Sequence, residues 1–118
     1  MNVKTLTKGL RFKGDAEGKR QTYYVFEGSG YYFVLSFKKN NQNAGYFNVI
    51  DSEAADFVQK KFGGMAGITC KDVINGSHKT RYFSKELDAL NVLYVLVATK
   101  RARVDKRHKS KSLYFNIK

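Results

Sequence analysis

The sequence predicts a mixed α+β fold: an N-terminal antiparallel β-meander, then three helices, then a C-terminal β-hairpin. Three observations predict it. Over residues 22–50, Tyr, Phe and Val alternate with polar residues, and Gly-Ser-Gly and an Asn-rich stretch punctuate the runs; this is strand period with turn chemistry. Over residues 51–99, apolar residues recur at helical spacing behind capping residues. The last nineteen residues hold two short β-prone runs on either side of a basic loop.

Residues 1–21 are polar and basic and contain Gly9, Gly14 and Gly18, so no more than a short strand around Leu10–Lys13 is expected, with mobile flanks. Thr22–Glu27 is rich in β-formers. Gly28-Ser29-Gly30 marks a turn. Tyr31–Phe37 follows, with Tyr31, Phe33, Leu35 and Phe37 on one face and Tyr32, Val34 and Ser36 on the other. Lys38–Ala44 reads as a loop and Gly45–Ile50 as a third strand. The connections are short, so these strands pair antiparallel.

A helix over 51–62 begins at Asp51 or Ser52, has Glu53 at the positive end of its dipole, and places Ala54, Phe57, Val58 and Phe62 on one face. Gly63-Gly64 stops it. Thr69-Cys70-Lys71-Asp72 has the form of a capping box opening a short helix that buries Val73 and Ile74, with Asn75-Gly76 at its end. Ser84 caps a third helix reaching about Thr99. Its stripe is Leu87, Leu90, Leu93, Tyr94 and Val97, widened by Val92, Val95 and Leu96, and a helix this apolar needs cover on more than one side. Arg101–Asp105 and Leu113–Ile117 then form the hairpin, with Ala102 and Val104 turned inward and Lys106–Ser112 as its loop.

The chain has 118 residues, which suits one domain; a division at residue 50 separates a basic arm and meander (1–50) from the helical part with its hairpin (51–118), the two packing as one unit. Apolar runs fall well short of the roughly 20 residues a membrane span needs, so no membrane partner is expected. Met1–Lys13 carries no apolar stretch of the kind that opens a secretory signal. The single cysteine, Cys70, has no partner for an intrachain disulfide, and neither His78 nor His108 has companions at ligand spacing. Cytoplasmic residence, no metal and no cofactor are the expectations.

The formal net charge is +12, and it is concentrated. Residues 1–21 carry six basic and two acidic residues, and residues 100–118 carry eight basic residues and one acid, so eleven of the twelve net charges lie at the two ends. A nearly neutral body with cationic ends suits a polyanionic partner, bound with steep salt dependence. The alternative is a solvated face serving solubility.

The order helix, short helix, longer helix, basic hairpin over roughly residues 51–117 resembles a winged helix-turn-helix domain, by layout alone. The resemblance implies that the first two helices brace the third, that the third helix or the turn before it enters the major groove, and that the hairpin is a wing on backbone or minor groove. Mapped onto this sequence, it assigns nucleic-acid contacts to Lys79, Arg81 and Lys85, to Lys100, Arg101 and Arg103, and to Lys106, Arg107, His108, Lys109 and Lys111. Arg101 and Arg103 stand two apart and present one basic face. The third helix departs from the pattern: it has no Lys or Arg between Lys85 and Lys100, and offers only Ser84, Lys85, Asp88 and Asn91 toward bases.

The expected function is therefore non-enzymatic nucleic-acid binding, duplex DNA ahead of RNA, by a transcription regulator or an accessory factor of a mobile element or phage. Two alternatives stay open. One is an RNA or single-strand binder that stacks bases on the meander's Tyr and Phe, which otherwise serve as core. The other is a protein-interaction module, such as an inhibitor or assembly subunit, whose basic surface meets an acidic protein; a protein partner or, in a homodimer, a second copy of the chain is then the partner expected. Catalysis is not expected. Asp15 and Glu17-Gly18-Lys19 have a nuclease-like form but fall in a glycine-flanked charged segment, and Cys70 has no base nearer in sequence than His78.

Overall fold

The computed structural model describes residues 8–18, 21–38, 41–76, 86–105 and 113–118. They form β1 (Arg11–Glu17), β2 (Thr22–Gly28), β3 (Tyr31–Lys38), β4 (Asn41–Asp51), α1 (Ser52–Phe62), α2 (Cys70–Gly76), α3 (Glu86–Ala98), β5 (Ala102–Val104) and β6 (Phe115–Ile117). The architecture is α+β: a four-stranded antiparallel sheet in the order β1-β2-β3-β4, three helices and a two-stranded hairpin.

Strands β2 and β3 are joined by Ser29 and Gly30, both at positive φ (54° and 83°). That pair of left-handed residues gives the turn the twist that matches its strands. Strand β1 is longer than the predicted Leu10–Lys13. Glycines read as breakers in the sequence are used here for packing. The register slips between Phe12 and Gly14. Gly14, at φ 147°, lies where a Cβ would come within 2.4 Å of the Ala98 carbonyl oxygen, so the end of α3 can close down on β1 only over a glycine. The predicted loop over 38–44 is also shorter. Strand β4 already pairs at Asn41 with Lys38, and the three residues between there and the Gly45–Phe37 pair bulge out of register.

Helices α1 and α2 start as their caps dictate, and Ser84, the cap expected for α3, lies outside the described residues. The Asp51 carboxylate accepts from the Glu53 amide at 2.9 Å. Thr69 and Asp72 form a reciprocal box: the Thr69 amide donates to Oδ2 of Asp72 at 2.9 Å, and the Asp72 amide to Oγ1 of Thr69 at 3.2 Å. Satisfying otherwise orphaned amides in this way is what lets a seven-residue helix hold at α2.

Helix α3 is the centre of the molecule. Asn91 to Leu96 are six consecutive buried residues, and the helix touches all four strands of the sheet as well as α1, α2 and β5. Val92, Val95 and Val97 are mediocre helix formers by a few tenths of a kcal/mol each, whereas burying such a side chain contributes about 1.5–3 kcal/mol. Packing therefore outweighs propensity. One continuous core joins Ala16, Val25, Tyr32, Val34 and Ile50 of the sheet to Ala54, Val58 and Phe62 of α1, Val73 of α2, and Ala102, Phe115 and Ile117 of the hairpin. Tyr94 stacks on Tyr23 at 4.1 Å and meets Phe115 edge-on at 6.2 Å. Burial pushes its phenol well above the usual tyrosine value.

Candidate nucleic-acid interface

The hairpin forms at the predicted place, and the structure shows what roots it. Beyond the three paired residues of each strand, Asp105 donates its amide to the Tyr114 carbonyl at 2.7 Å and Lys118 its amide to the Arg101 carbonyl at 2.9 Å. On its other side β6 is also paired. Ile68 and Phe115 exchange amide–carbonyl bonds of 2.8 Å in both directions, and Gly64 and Met65 bond the Ile117 main chain at 2.8 and 2.9 Å. The segment between α1 and α2 thus acts as a third strand, leaving β6 central. Ala102, Phe115 and Ile117 are buried, so the base of the hairpin is part of the core.

The two arginines read as one basic face have different surroundings. Arg103 is exposed. Arg101 is tied to the protein itself: its guanidinium lies 2.9 Å from Asp56 and 3.2 Å from Gln59 on α1, 3.2 Å from the Tyr32 hydroxyl on β3, and 3.0 Å from Thr99 Oγ1. Its side chain is only 19% exposed. It joins α1, the sheet and the start of the hairpin.

Lys100 has a backbone feature of its own. It ends α3 in a Schellman motif, its amide donating to Val97 at 3.1 Å and the Arg101 amide to Leu96 at 2.8 Å. The motif puts Lys100 at φ 63°, where glycine is the favoured residue. An exposed lysine held there is a strained position occupied by a cation.

Lys100, Arg103 and Lys118 line a cleft of about 490 Å³ between the hairpin and the end of β1, floored by Val97 and Ala102, with Asp15 and Glu17 on the opposite wall. None of these five charged residues has an ion-pair partner among the described residues. Asp15 and Glu17 belong to strand β1, which runs past the Leu10–Lys13 strand expected there. Two carboxylates facing three cations leave the cleft with little net field.

Other predicted contacts fare differently. Asn91 is buried at 2% exposure and cannot reach a base. With Ala89 and Val92–Leu96 also buried, this stretch of α3 is unavailable to a groove. Lys79, Arg81, Lys85, Lys106, Arg107, His108, Lys109 and Lys111 lie outside the described residues. Among the described residues, no three of His, Cys, Asp and Glu group so as to hold a metal ion, and no helix is long and apolar enough to cross a membrane.

One surface entered the sequence reading only as an alternative to core. The meander's rings divide between two faces. Tyr23, Val25, Tyr32 and Val34 pack toward α3, while Phe12, Tyr24, Tyr31, Phe47 and Val49 stand exposed on the other face. The core reading holds for the rings that face α3, because one layer of helices covers one side of a sheet. The signal was present, since apolar residues on both alternations of Tyr31–Phe37 exceed what one covered face requires. Searches among protein-family models, curated proteins and solved structures found no match to this chain.

Proposed function

We propose that this protein is a non-enzymatic, cytoplasmic nucleic-acid-binding protein that grips duplex DNA through its C-terminal hairpin. The observation that carries the reading is the contrast between the hairpin's base and its outer side. The base is hydrogen-bonded on both flanks of β6 and buried in the core, while Lys100 and Arg103 stand outside it without ion pairs among the described residues. In sequence, the seven residues that connect Asp105 to Leu113 include Lys106, Arg107, His108, Lys109 and Lys111. A rigid root carrying cations is how a protein fixes its register on phosphates.

Arg101 is left out of this set because its guanidinium is already committed to Asp56. Phosphate contacts dominate, because α3 is buried where a recognition helix would offer base contacts. Lys79, Arg81 and Lys85 just before α3 are the residues left to read bases. The winged-helix layout read from the sequence is the frame for this reading, with transcriptional regulation or service to a mobile element as its setting.

The test is a salt titration of duplex binding followed by fluorescence anisotropy. Replacing Arg107 and Lys109 together by Ala should flatten the slope of log K against log salt by up to about two units, equally for unrelated sequences. An unchanged slope would remove the hairpin as the binding element.

A further inference from the structure

Six large apolar side chains stand exposed among the described residues, and five of them, Phe12, Tyr24, Tyr31, Phe47 and Val49, share the outer face of the four-stranded sheet, where they surround Leu35, which is buried between Tyr24 and Phe47. Phe26 and Phe33 lie between them in register with Phe12 and Val49. Phe12 tilts against Phe26 at 5.3 Å, and Phe33 stacks on Phe47 at 5.7 Å. Scattered apolar exposure is normal on a monomer, but a continuous patch of rings marks a binding surface.

Charge decides what binds there. Two copies joined through this face would bring two chains of formal charge +12 together, which is self-repelling, whereas a polyanion relieves that charge. Lys8, in the turn before the edge strand, and Arg11 and Lys13 on it stand exposed within six residues around Phe12, and of these only Arg11 has an ion-pair partner among the described residues, Glu27 at 2.9 Å. Asp15, the register partner of Tyr24, and Glu17 follow on the same strand, so phosphates are favoured at the Lys13 end only.

A duplex keeps its bases stacked on one another, so aromatic rings on a flat sheet cannot engage them. Unpaired bases have free π-faces, and rings recurring about every 4.8 Å across strands and 6.6 Å along them meet bases regardless of sequence. We infer that this face is a stacking platform for an unpaired nucleic-acid strand, whose phosphates run past Lys8 and Lys13. The site rests on the nucleic-acid reading for its polyanion, but not on the hairpin.

The experiment uses the full chain and a fluorescein-labelled fifteen-residue oligothymidine at fixed salt, with a random-sequence duplex alongside. Tyr24→Ala and Phe47→Ala should each weaken oligothymidine binding roughly 5- to 150-fold, the range of single base–ring stacks, and leave duplex binding unchanged. Tyr24→Leu and Phe47→Leu keep apolar bulk and strand preference, guard against misfolding, and should weaken binding comparably because the ring is lost. With no tryptophan in the chain, quenching of tyrosine emission by the oligonucleotide should fall in Tyr24→Phe. Unaltered oligothymidine affinity in the Ala and Leu variants overturns the proposal. So does a dimer of the free protein in sedimentation that Phe47→Ala dissociates, which would give the face to a second copy. Loss of duplex binding in hairpin variants, with oligothymidine binding intact, separates this site from the hairpin.

Discussion

The two β-units of this molecule solve opposite problems. The four-stranded sheet is broad, nearly neutral and covered on one side, and its open side is paved with rings. The hairpin is three paired residues long in each strand, strongly basic in sequence, and buried at its base. A broad sheet holds itself together by its own ladders and can leave a face uncovered. A two-stranded hairpin is marginal alone and must borrow stability from the body that it serves. Substitutions on the sheet's open face should therefore alter binding with little effect on folding, and those at the hairpin's base should do the reverse.

The largest expected effect breaks the hairpin from the body. Phe115 is fully buried, exchanges main-chain bonds with Ile68 and meets the Tyr94 ring. Phe115→Ala should cost about 3–5 kcal/mol in chemical denaturation. Phe12→Ala, at a site 58% exposed on the sheet's open face, should cost no more than about 1 kcal/mol, the scale of a cross-strand pair. Comparable losses at the two sites would undo the contrast.

Alkaline pH probes the same junction. Tyr94 and Tyr32 both have phenols raised by burial, so the native state resists their ionisation. Their contribution is fully present below about pH 10, the ordinary tyrosine value, and is lost as pH rises from there through the folded values. Stability followed by denaturant midpoint should fall above pH 10, and less steeply in Tyr94→Phe.

Arg101 and Arg103 sharpen the comparison at a spacing of two residues. Arg101→Ala removes contacts to Asp56, Gln59 and Tyr32 and should cost about 2 kcal/mol, with the salt slope of duplex binding unchanged. Arg103→Ala should leave the melting temperature nearly unchanged and reduce the slope by about 0.9. Lys100→Gly relieves the left-handed backbone at that position and should stabilise the fold by about 1 kcal/mol while removing one cation from the cleft rim. A lysine whose removal improves folding and weakens binding would mark this position as functional.

The sequence by itself determined the order of elements, because each signal is local. Alternation marks β2 and β3, Asp51 and the Thr69–Asp72 box start α1 and α2, and a helix apolar all round has to be central, as α3 is. It also determined where the charge is concentrated, since charge is counted along the chain. Only the tertiary structure decided how far β1 runs, because Gly14 is a breaker locally and a contact point once the end of α3 approaches it. It likewise decided that Arg101 is bound to Asp56, 45 residues away, while Arg103 is exposed, and which of the meander's rings stand exposed. Burial and ion pairing depend on which distant side chains arrive, and neither local propensity nor local charge carries that information.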